Sequence, residues 1–349
     1  MRSTTSPFSK YPNGVMLRSS VACVRSGIAS YDFHNELESC GPSLQFDRIP
    51  DSVEKLLSHL SKGVDPSRLD SAQLTVLTAL DESNMLCNAL APSFLGTAVE
   101  RQVQFFSEFT PDPCSAQRNL SLAHVMIVGC GGTGNILVQH LVASGVSRYT
   151  LVDGDDVALD NFNRQLCFQL ADVGRPKVSA LGDYIQSHTP SCIVDQHNRF
   201  VNDVRTVSEL IRPGEVPNMI ICCADTPPIL IESIICKCAI EHSMTALFGG
   251  VGVHSAVLGP LLSTQVGLES YLMANSADLT NPIGSDLHPT RASFGVTNTI
   301  SGALLAKSAI EFLAGISTSS LHNRQLLLTF SDFHTTTLWQ FPSPDTVVQ

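Results

Sequence analysis

A glycine-rich hexapeptide at 129–134 carries the clearest chemical signal in the sequence. It follows the apolar run 125–128 and precedes an apolar-periodic segment that stops at Gly145. Because glycine lacks Cβ, such a loop can turn sharply and bring backbone N–H groups against a phosphate at the positive end of the following helix. The glycines expected at the phosphates are Gly129, Gly131, Gly132 and Gly134.

An acidic residue, Asp153, closes the second predicted strand at 149–152. A carboxylate at that position can accept hydrogen bonds from the ribose hydroxyls of a nucleotide. A tight structural turn is the alternative interpretation of an isolated glycine motif. The flanking strands, and an acid about twenty residues further on, favour nucleotide binding.

Further polar residues follow Asp153 within a short stretch, and they indicate which nucleotide binds. A dinucleotide needs only the ribose acid, whereas this stretch adds carboxylate, amide, guanidinium and ammonium groups. Arg holds phosphate bidentately and Lys acts as a point charge, a pairing that suits a triphosphate undergoing transfer. Each residue alone could be a solvated surface group, but their joint order and spacing disfavour that alternative. The candidates are Asp155, Asn161, Arg164, Gln165 and Lys177.

Three motifs together resemble one family. The GxGGxG loop, the D-x-D-x-V-x-x-x-N-x-x-R-Q run from Asp153 and the D-x-G-x-x-K segment from Asp172 are similar to those of the E1-like adenylating superfamily. That superfamily includes the ThiF and MoeB sulfur-carrier activators and the ubiquitin-activating enzymes, and the similarity covers about 101–332. It implies that ATP activates a carboxylate, usually the C-terminus of a small protein, as an acyl-adenylate.

The resemblance also implies residue roles. Asp153 becomes the ribose ligand, and Asn161, Arg164 and Lys177 become phosphate or transition-state ligands supported by Gln165. Asp225, at the end of a later predicted strand, becomes the Mg2+ ligand, since magnesium prefers one or two carboxylates plus phosphate oxygens. A crossover loop at about 264–293 would cover the substrate, with His288 and Arg291 as contacts.

A homodimer is implied as well, because the family donates an arginine to the ATP site of the neighbouring subunit. At that position the sequence has Gln104, so the donor is open between Arg101 and Arg118. Family members often hold zinc on two CxxC pairs, but no such pairs exist here, and no cysteine follows Cys238. We therefore expect no zinc site and no thioester-forming cysteine, and we interpret Cys130 as a small filler in the glycine loop.

Length and composition set the frame. The chain has 349 residues and a net charge of −11, without a basic block, so it suits two domains and disfavours nucleic acid as a partner. No apolar run reaches the length of a membrane span. Eleven cysteines without a repeating framework suit a reducing cytoplasm.

The predicted fold is an α/β Rossmann-like domain with a mixed, mostly parallel sheet, preceded by a small α+β unit. We expect a flexible N-terminus at 1–14, a winged-helix-like domain at 15–95, a linker and helix at 96–122, and the adenylation domain at 123–349. The first domain resembles the clamp that binds leader peptides by adding them as a strand to a sheet edge. A packing or dimerisation domain is the alternative.

The whole pattern is similar to the MccB-like subgroup, which modifies ribosomal peptides, and best to its zinc-free members of the pantocin A type. The resemblance implies ATP-dependent activation of a carboxylate in a ribosomal precursor peptide, followed by intramolecular cyclisation or condensation in antibiotic biosynthesis. One alternative is a non-catalytic E1-like scaffold that binds a peptide for a partner enzyme. Another is a sulfur-carrier-protein adenylyltransferase, which the missing cysteines disfavour.

Overall fold

The chain folds into two compact units, Met1–Asn119 and Leu120–Gln349. The computed structural model describes residues 7–35, 42–228, 230–278, 292–316 and 319–341, with side chains of the third range described to 275. No helix in these ranges is both long and apolar enough to cross a bilayer.

The first unit combines two small sheets with helices. Its strands are β1 (Val15–Leu17), β2 (Ala22–Arg25), β3 (Ser30–His34), β4 (Ser43–Gln45) and β5 (Leu86–Asn88). Its helices are α1 (Asp51–His59), α2 (Ser71–Glu82), α3 (Glu100–Phe106) and α4 (Pro113–Leu122), the last of which extends past residue 119. Strand β1 pairs with β5, and β2, β3 and β4 form an antiparallel sheet.

Helix α2 begins with a capping box formed by Asp70 and Gln73. The Asp70 carboxylate accepts a hydrogen bond from the Gln73 backbone at 2.8 Å, and the Gln73 side chain accepts one from the Asp70 backbone at 2.9 Å. This reciprocal pair satisfies two donors at the helix start. The buried face of the helix then packs into the core of the unit, together with Val53 and Leu56 of α1.

The expectation of a flexible N-terminus is wrong for the described part, residues 7–14. Phe8 and Tyr11 are only 4% and 5% exposed and lie in the core of the first unit. The Tyr11 hydroxyl donates a hydrogen bond to Asp81 of α2 at 2.5 Å. Two large aromatic side chains bury enough apolar surface to hold this segment in place, even though its composition predicts a loose leader.

The second unit is built on one eight-stranded sheet. Its strands are β6 (His124–Val128), β7 (Arg148–Asp153), β8 (Ile193–Asn198), β9 (Met219–Cys222), β10 (Thr245–Val251), β11 (Ser255–Leu262), β12 (Arg324–Thr329) and β13 (Thr335–Gln340). Its helices are α5 (Gly132–Ala143), α6 (Lys177–His188), α7 (Val204–Ser208), α8 (Leu230–His242), α9 (Gln265–Asp278) and α10 (Gly295–Ala314).

The strand order in this sheet is β13-β12-β11-β10-β9-β6-β7-β8. The pairs from β8 to β10 are parallel, and β10 to β13 are joined by antiparallel pairs. The predicted α/β fold with a mixed, mostly parallel sheet is confirmed. The chain passes from β6 to β7 on one side and later returns to β9 on the other, so β6 and β9 flank a topological switch point, where α/β proteins bind ligands.

The segment 264–278 differs from the prediction of a structureless loop, because α9 occupies Gln265–Asp278. The sequence of this segment is polar and weakly periodic, but it contains one buried residue that holds the helix in place. Tyr271 is 1% exposed and donates a hydrogen bond to Glu232 of α8 at 2.7 Å. His288 and Arg291, the predicted contacts of the crossover loop, lie outside the described residues.

Candidate nucleotide-binding site

A cavity of about 690 Å³ opens at the carboxyl ends of five neighbouring strands, β8, β7, β6, β9 and β10. Their ends contribute Phe200, Asp153, Gly129, Asp225 and Gly250 respectively to its lining. Since carboxyl ends of parallel strands meet at one edge of a sheet, groups far apart in the sequence become neighbours there. The cavity therefore lies at the topological switch point of the sheet.

The glycine loop forms the floor of this cavity. Gly129 has φ +96°, and a Cβ there would lie 2.6 Å from the Ala224 backbone nitrogen. Gly132, the first residue of α5, lies beneath the Asn298 side chain, so that a Cβ would lie 2.7 Å from its Cγ. A Cβ on Gly131 would meet nothing within 4 Å. Backbone N–H groups at the start of α5 are thus accessible to an anion.

Gly134 has a different role from the one predicted. It is buried and does not line the cavity; a Cβ on it would collide with the Gly129 carbonyl oxygen. Its missing side chain lets the loop and the first turn of α5 pack together. Gly134 therefore shapes the loop without facing a ligand.

Asp153 ends β7 and lines the cavity, as its predicted ribose role requires. Its two carboxylate oxygens accept hydrogen bonds from the backbones of Cys130 at 2.7 Å and Asp155 at 2.8 Å. Burial raises the pKa of the Asp153 carboxyl, an effect that the Lys177 charge and these two hydrogen bonds oppose. Each oxygen keeps a second lone pair, so the carboxylate can accept hydroxyl donors.

The thiol of Cys130 is fully buried, and burial raises its pKa well above the ordinary value. A protonated thiol is a poor nucleophile. The thiol of Cys223, which lines the cavity, has its pKa raised to about 12 for the same reason. Neither cysteine is suited to form a thioester.

Lys177 is the first residue of α6, and its ammonium group lies 2.7 Å from the carboxylate of Asp155. Its side chain is 9% exposed, while that of Asp155 is 54% exposed. A buried ammonium on the cavity wall, held by an exposed carboxylate, can exchange its partner for a phosphate oxygen. The structure thus places both predicted residues in the cavity and pairs them.

Arg164 and Gln165 also line the cavity. The Arg164 guanidinium donates to the Asp160 backbone carbonyl at 2.6 Å and to the Asn163 side chain at 2.9 Å. Gln165 is 2% exposed, and its side-chain oxygen has no hydrogen-bond partner among the described residues. A buried acceptor left open at a cavity wall is suited to a ligand donor or a water molecule.

Asn161 does not line this cavity, although the family resemblance implies a phosphate contact. Its side chain accepts a hydrogen bond from the Ala158 backbone at 3.1 Å and donates to Asp160 at 2.9 Å. These contacts close the short 3-10 helix Leu159–Asn161. In this structure Asn161 supports the turn that presents Asp160 and Arg164.

Asp225 follows β9 and lines the cavity, where it accepts a hydrogen bond from the Thr226 hydroxyl at 3.1 Å. Among the described residues, no group of three or more His, Cys, Asp or Glu side chains could hold a metal ion. One carboxylate fits Mg2+ that takes its remaining ligands from phosphate oxygens and water. Asp225 therefore suits a nucleotide-bound magnesium ion.

Several lining residues were not predicted as site residues. Their positions are set by strand order or by helix packing, with no recognisable local motif. Conversely, Gln104, Arg101 and Arg118 belong to the first unit and are not among the lining residues. The missed residues include Asp160, Arg199, Phe200, Gly249, Gly250 and Asn298.

The sheet, its switch point and the cavity with cationic and acidic walls define a nucleotide-binding α/β protein. Within that class, the chain belongs to the ThiF family, whose model matches residues 99–346, well over half of the sequence. The superfamily resemblance drawn from the motifs is thereby confirmed.

Curated relatives match parts of the chain. tRNA threonylcarbamoyladenosine dehydratase 2 of Saccharomyces cerevisiae is 33% identical over 132 residues, covering 38% of this chain and 28% of that protein. The sulfur carrier protein adenylyltransferase of Thermus thermophilus is 28% identical over 211 residues, covering 57% of this chain and 72% of that protein. The chain spans only 28% and 35% of the first two curated relatives that it matches.

Solved structures match nearly the whole chain. Escherichia coli MccB, crystallised with AMPCPP and MccA, superposes with a TM-score of 0.70 at 19% identity, covering 95% of this chain and 98% of that one. PaaA superposes with a TM-score of 0.68 at 22% identity, covering 93% and 99%. At these identities the likeness shows that the fold is shared.

Proposed function

We propose that this protein uses ATP to adenylate a carboxylate of a ribosomally made precursor peptide. One observation carries the proposal: a single cavity brings together the glycine loop, Asp153, Arg164, Lys177 and Asp225. The glycine loop supplies backbone donors for phosphate, Asp153 supplies acceptors for ribose, and the two cations supply positive charge. A structural packing role does not need this combination.

The activation step follows from these groups. A carboxylate oxygen of the peptide attacks the α-phosphorus of ATP, the bond from that phosphorus to the bridging oxygen of pyrophosphate breaks, and pyrophosphate leaves with its electron pair. The Lys177 ammonium and the Arg164 guanidinium, both on the cavity wall, stabilise the negative charge that develops on phosphate oxygens. Asp225 is positioned to hold Mg2+, which when bound neutralises phosphate charge.

The second step is intramolecular capture. An amide nitrogen or a carbon nucleophile of the same peptide attacks the acyl carbon, and AMP leaves, so that the peptide cyclises or condenses, with glutamate side chains as the candidate carboxylates. The raised pKa values of the Cys130 and Cys223 thiols favour a route without an enzyme thioester. A small antibiotic would be the product.

Two observations support a peptide as the partner: the architecture of the first unit and the solved structures of similar proteins. MccB is crystallised as a microcin C7 biosynthetic enzyme in complex with N-formylated MccA. The first unit here has the antiparallel sheet β2-β3-β4, whose edge strands offer unpaired backbone groups. A leader peptide that adds as a strand there would be held by main-chain hydrogen bonds. A cytoplasmic homodimer is part of the same proposal.

A sulfur-carrier-protein adenylyltransferase is the second candidate, since the Thermus thermophilus relative carries that description. It would share the adenylation step but take a small β-grasp protein ending in Gly-Gly as substrate. The raised pKa values of the Cys130 and Cys223 thiols favour the peptide substrate. A non-catalytic scaffold would bind peptide and would leave ATP unchanged.

The test is product analysis. The protein is incubated with Mg-ATP and candidate precursor peptides from neighbouring reading frames. The nucleotides are then separated by chromatography, and the mass of the peptide is measured by mass spectrometry. We expect AMP, pyrophosphate and a peptide that has lost water or water and carbon dioxide. Formation of ADP in place of AMP would show that the carboxylate is phosphorylated and not adenylated. Peptide binding without any change in the nucleotide would favour the non-catalytic scaffold.

A further inference from the structure

We propose that Phe200, at the carboxyl end of β8, is the platform on which the nucleotide base stacks. The inference deepens the proposed function and rests on it, since the function requires a nucleotide in this cavity. Neither motif nor spacing pointed to this residue. It is identified by strand order and by the position of its ring.

Strand order gives the cavity a direction. Along the sheet edge, Phe200 follows β8, Asp153 ends β7, and the glycine loop follows β6. Neighbouring strands lie about 4.8 Å apart, so the distance from the β6 loop to the end of β8 is roughly 10 Å. With phosphates on the loop and ribose on Asp153, the base points away from the phosphates and reaches the end of β8.

The Phe200 ring has an unusual environment for an apolar side chain. It is 51% exposed, yet it lines the cavity. It also lies over Gly154: a Cβ there would come within 2.6 to 2.7 Å of three ring atoms. Gly154, which follows Asp153, thus makes room for the ring. The rest of the ring surface is left free for a base. Aromatic side chains bind bases by such stacking.

The neighbouring residue adds hydrogen-bond donors. Arg199 lines the same end of the cavity, and its backbone N–H donates to the Asp153 carbonyl at 3.1 Å. Arg199 is exposed to solvent. A guanidinium offers donors only, so it complements the acceptor nitrogens of a purine. An aromatic ring beside a donor group suits an adenine base.

The experiment compares binding of ATP and of inorganic tripolyphosphate by calorimetry. We expect Phe200→Ala to weaken ATP binding roughly 5- to 150-fold, the range for loss of one base–aromatic stack. Tripolyphosphate, which has no base, should bind as it does to the wild type. Phe200→Tyr should retain ATP affinity, because the ring is kept.

Gly154→Ala gives an independent perturbation, since its methyl group displaces the Phe200 ring without removing it. It should also weaken ATP binding and spare tripolyphosphate. Phe105→Ala, which removes a ring that is 53% exposed in the first unit, is the matched control and should change neither ligand. Arg199→Ala should weaken ATP binding in the same selective way.

Two outcomes overturn the proposal. One is wild-type ATP affinity in Phe200→Ala, and the other is an equal loss of ATP and tripolyphosphate, which would assign the ring to loop geometry. The proposed function has its own readout in the same experiment. If the wild-type protein binds ATP no more tightly than tripolyphosphate, nucleotide use is refuted, whatever the role of Phe200.

Discussion

At the scale of single residues, the cavity assigns different work to side chains of similar charge. Lys177 is buried and paired with the half-exposed Asp155, whereas Arg164 is held by the backbone of its own turn. Asp153 receives two backbone donors. Removal of any one group should therefore affect a distinct property of the site.

Replacement of Lys177 by alanine should reduce the rate of AMP formation roughly 100- to 1,000-fold, the effect of losing one preorganised group at a developing charge. The fold should survive, because the partner Asp155 is 54% exposed and remains solvated. Lys237→Ala, which changes an exposed lysine of the same unit, is the control. AMP formation by Lys177→Ala at the control rate would remove the assigned role.

The nucleotide affinity should depend on pH through Asp153. Burial raises the pKa of this carboxyl above its ordinary 3.8, so it takes up a proton at a higher pH than an exposed aspartate does. Protonation removes acceptors for the ribose hydroxyls, and affinity should fall as the pH falls through the raised pKa. Titration calorimetry from pH 8 to pH 4 measures this.

Asp153→Asn provides the control for that titration. It should bind ATP weakly at every pH and lack the transition, because the amide does not titrate. A pH profile shared by the variant and the wild type would assign the transition to another group.

At the scale of elements, different glycines of the loop serve different purposes. Gly129 has a left-handed φ and lies against the Ala224 backbone, while Gly131 has ordinary backbone angles and faces open space. The first glycine is needed for the conformation of the loop. The second is needed for the approach of a ligand.

Gly129→Ala and Gly131→Ala should therefore separate stability from binding. The first should lower the free energy of unfolding by about 1 to 3 kcal/mol, owing to strain at positive φ and the close approach to Ala224. The second should leave stability within about 1 kcal/mol and weaken ATP binding, since its methyl group enters the cavity. Denaturant unfolding and calorimetry measure the pair, and equal behaviour of both variants would contradict the assignment.

A buried polar network joins α8, α9 and β12. Glu232 accepts hydrogen bonds from Tyr271 at 2.7 Å and Asn275 at 3.2 Å, and Gln325 donates to the Tyr271 hydroxyl at 2.7 Å. Burial raises the pKa of Glu232 above its ordinary 4.5. The folded state therefore binds this proton more tightly than the unfolded state, and wild-type stability should decline as the pH rises from about 4.5 through the raised pKa.

Glu232→Gln keeps an acceptor for Tyr271 and removes the charge. Its thermal midpoint should exceed that of the wild type at pH 8, with a smaller difference at pH 5; one kcal/mol corresponds to roughly 2–4 °C in Tm for a domain of this size. Glu241→Gln, at an exposed position of the same helix, is the control. A difference that does not change with pH would contradict the argument.

At the scale of the whole molecule, the second unit exposes large apolar residues in the segment that also contains Arg164 and Gln165. Leu159, Leu166 and Leu170 are 69%, 59% and 73% exposed. Groups of exposed apolar side chains mark interaction surfaces in many proteins. They favour the homodimer that the family resemblance implies.

Sedimentation velocity should therefore give the mass of two chains at micromolar concentration. Leu170→Asp should shift the protein toward a monomer, because a charge in an apolar interface loses its hydration. Lys62→Ala, which changes an exposed lysine of the first unit, is the control. Its thermal midpoint and its sedimentation coefficient should match those of the wild type. A wild-type monomer would end the dimer proposal.

The sequence by itself determined the family, the α/β class and the local part of the site. The glycine loop, Asp153, Arg164 and Lys177 could be found because their order and spacing along the chain fix strand, turn and helix locally. The predicted strand at 149–152 lies within β7 for the same reason. Roles inferred one residue at a time were less secure: Gly134 and Asn161 serve the geometry of their own turns.

Only the tertiary structure decided which distant groups complete the cavity. Phe200 arrives there because β8 pairs beside β7, and Asn298 arrives because α10 packs on the glycine loop. Phe8 and Tyr11 hold a segment that reads as a loose leader, and Tyr271 anchors a helix in a stretch with little periodicity. In each case the stabilising partner lies far away in the sequence, and burial against such a partner leaves no local pattern.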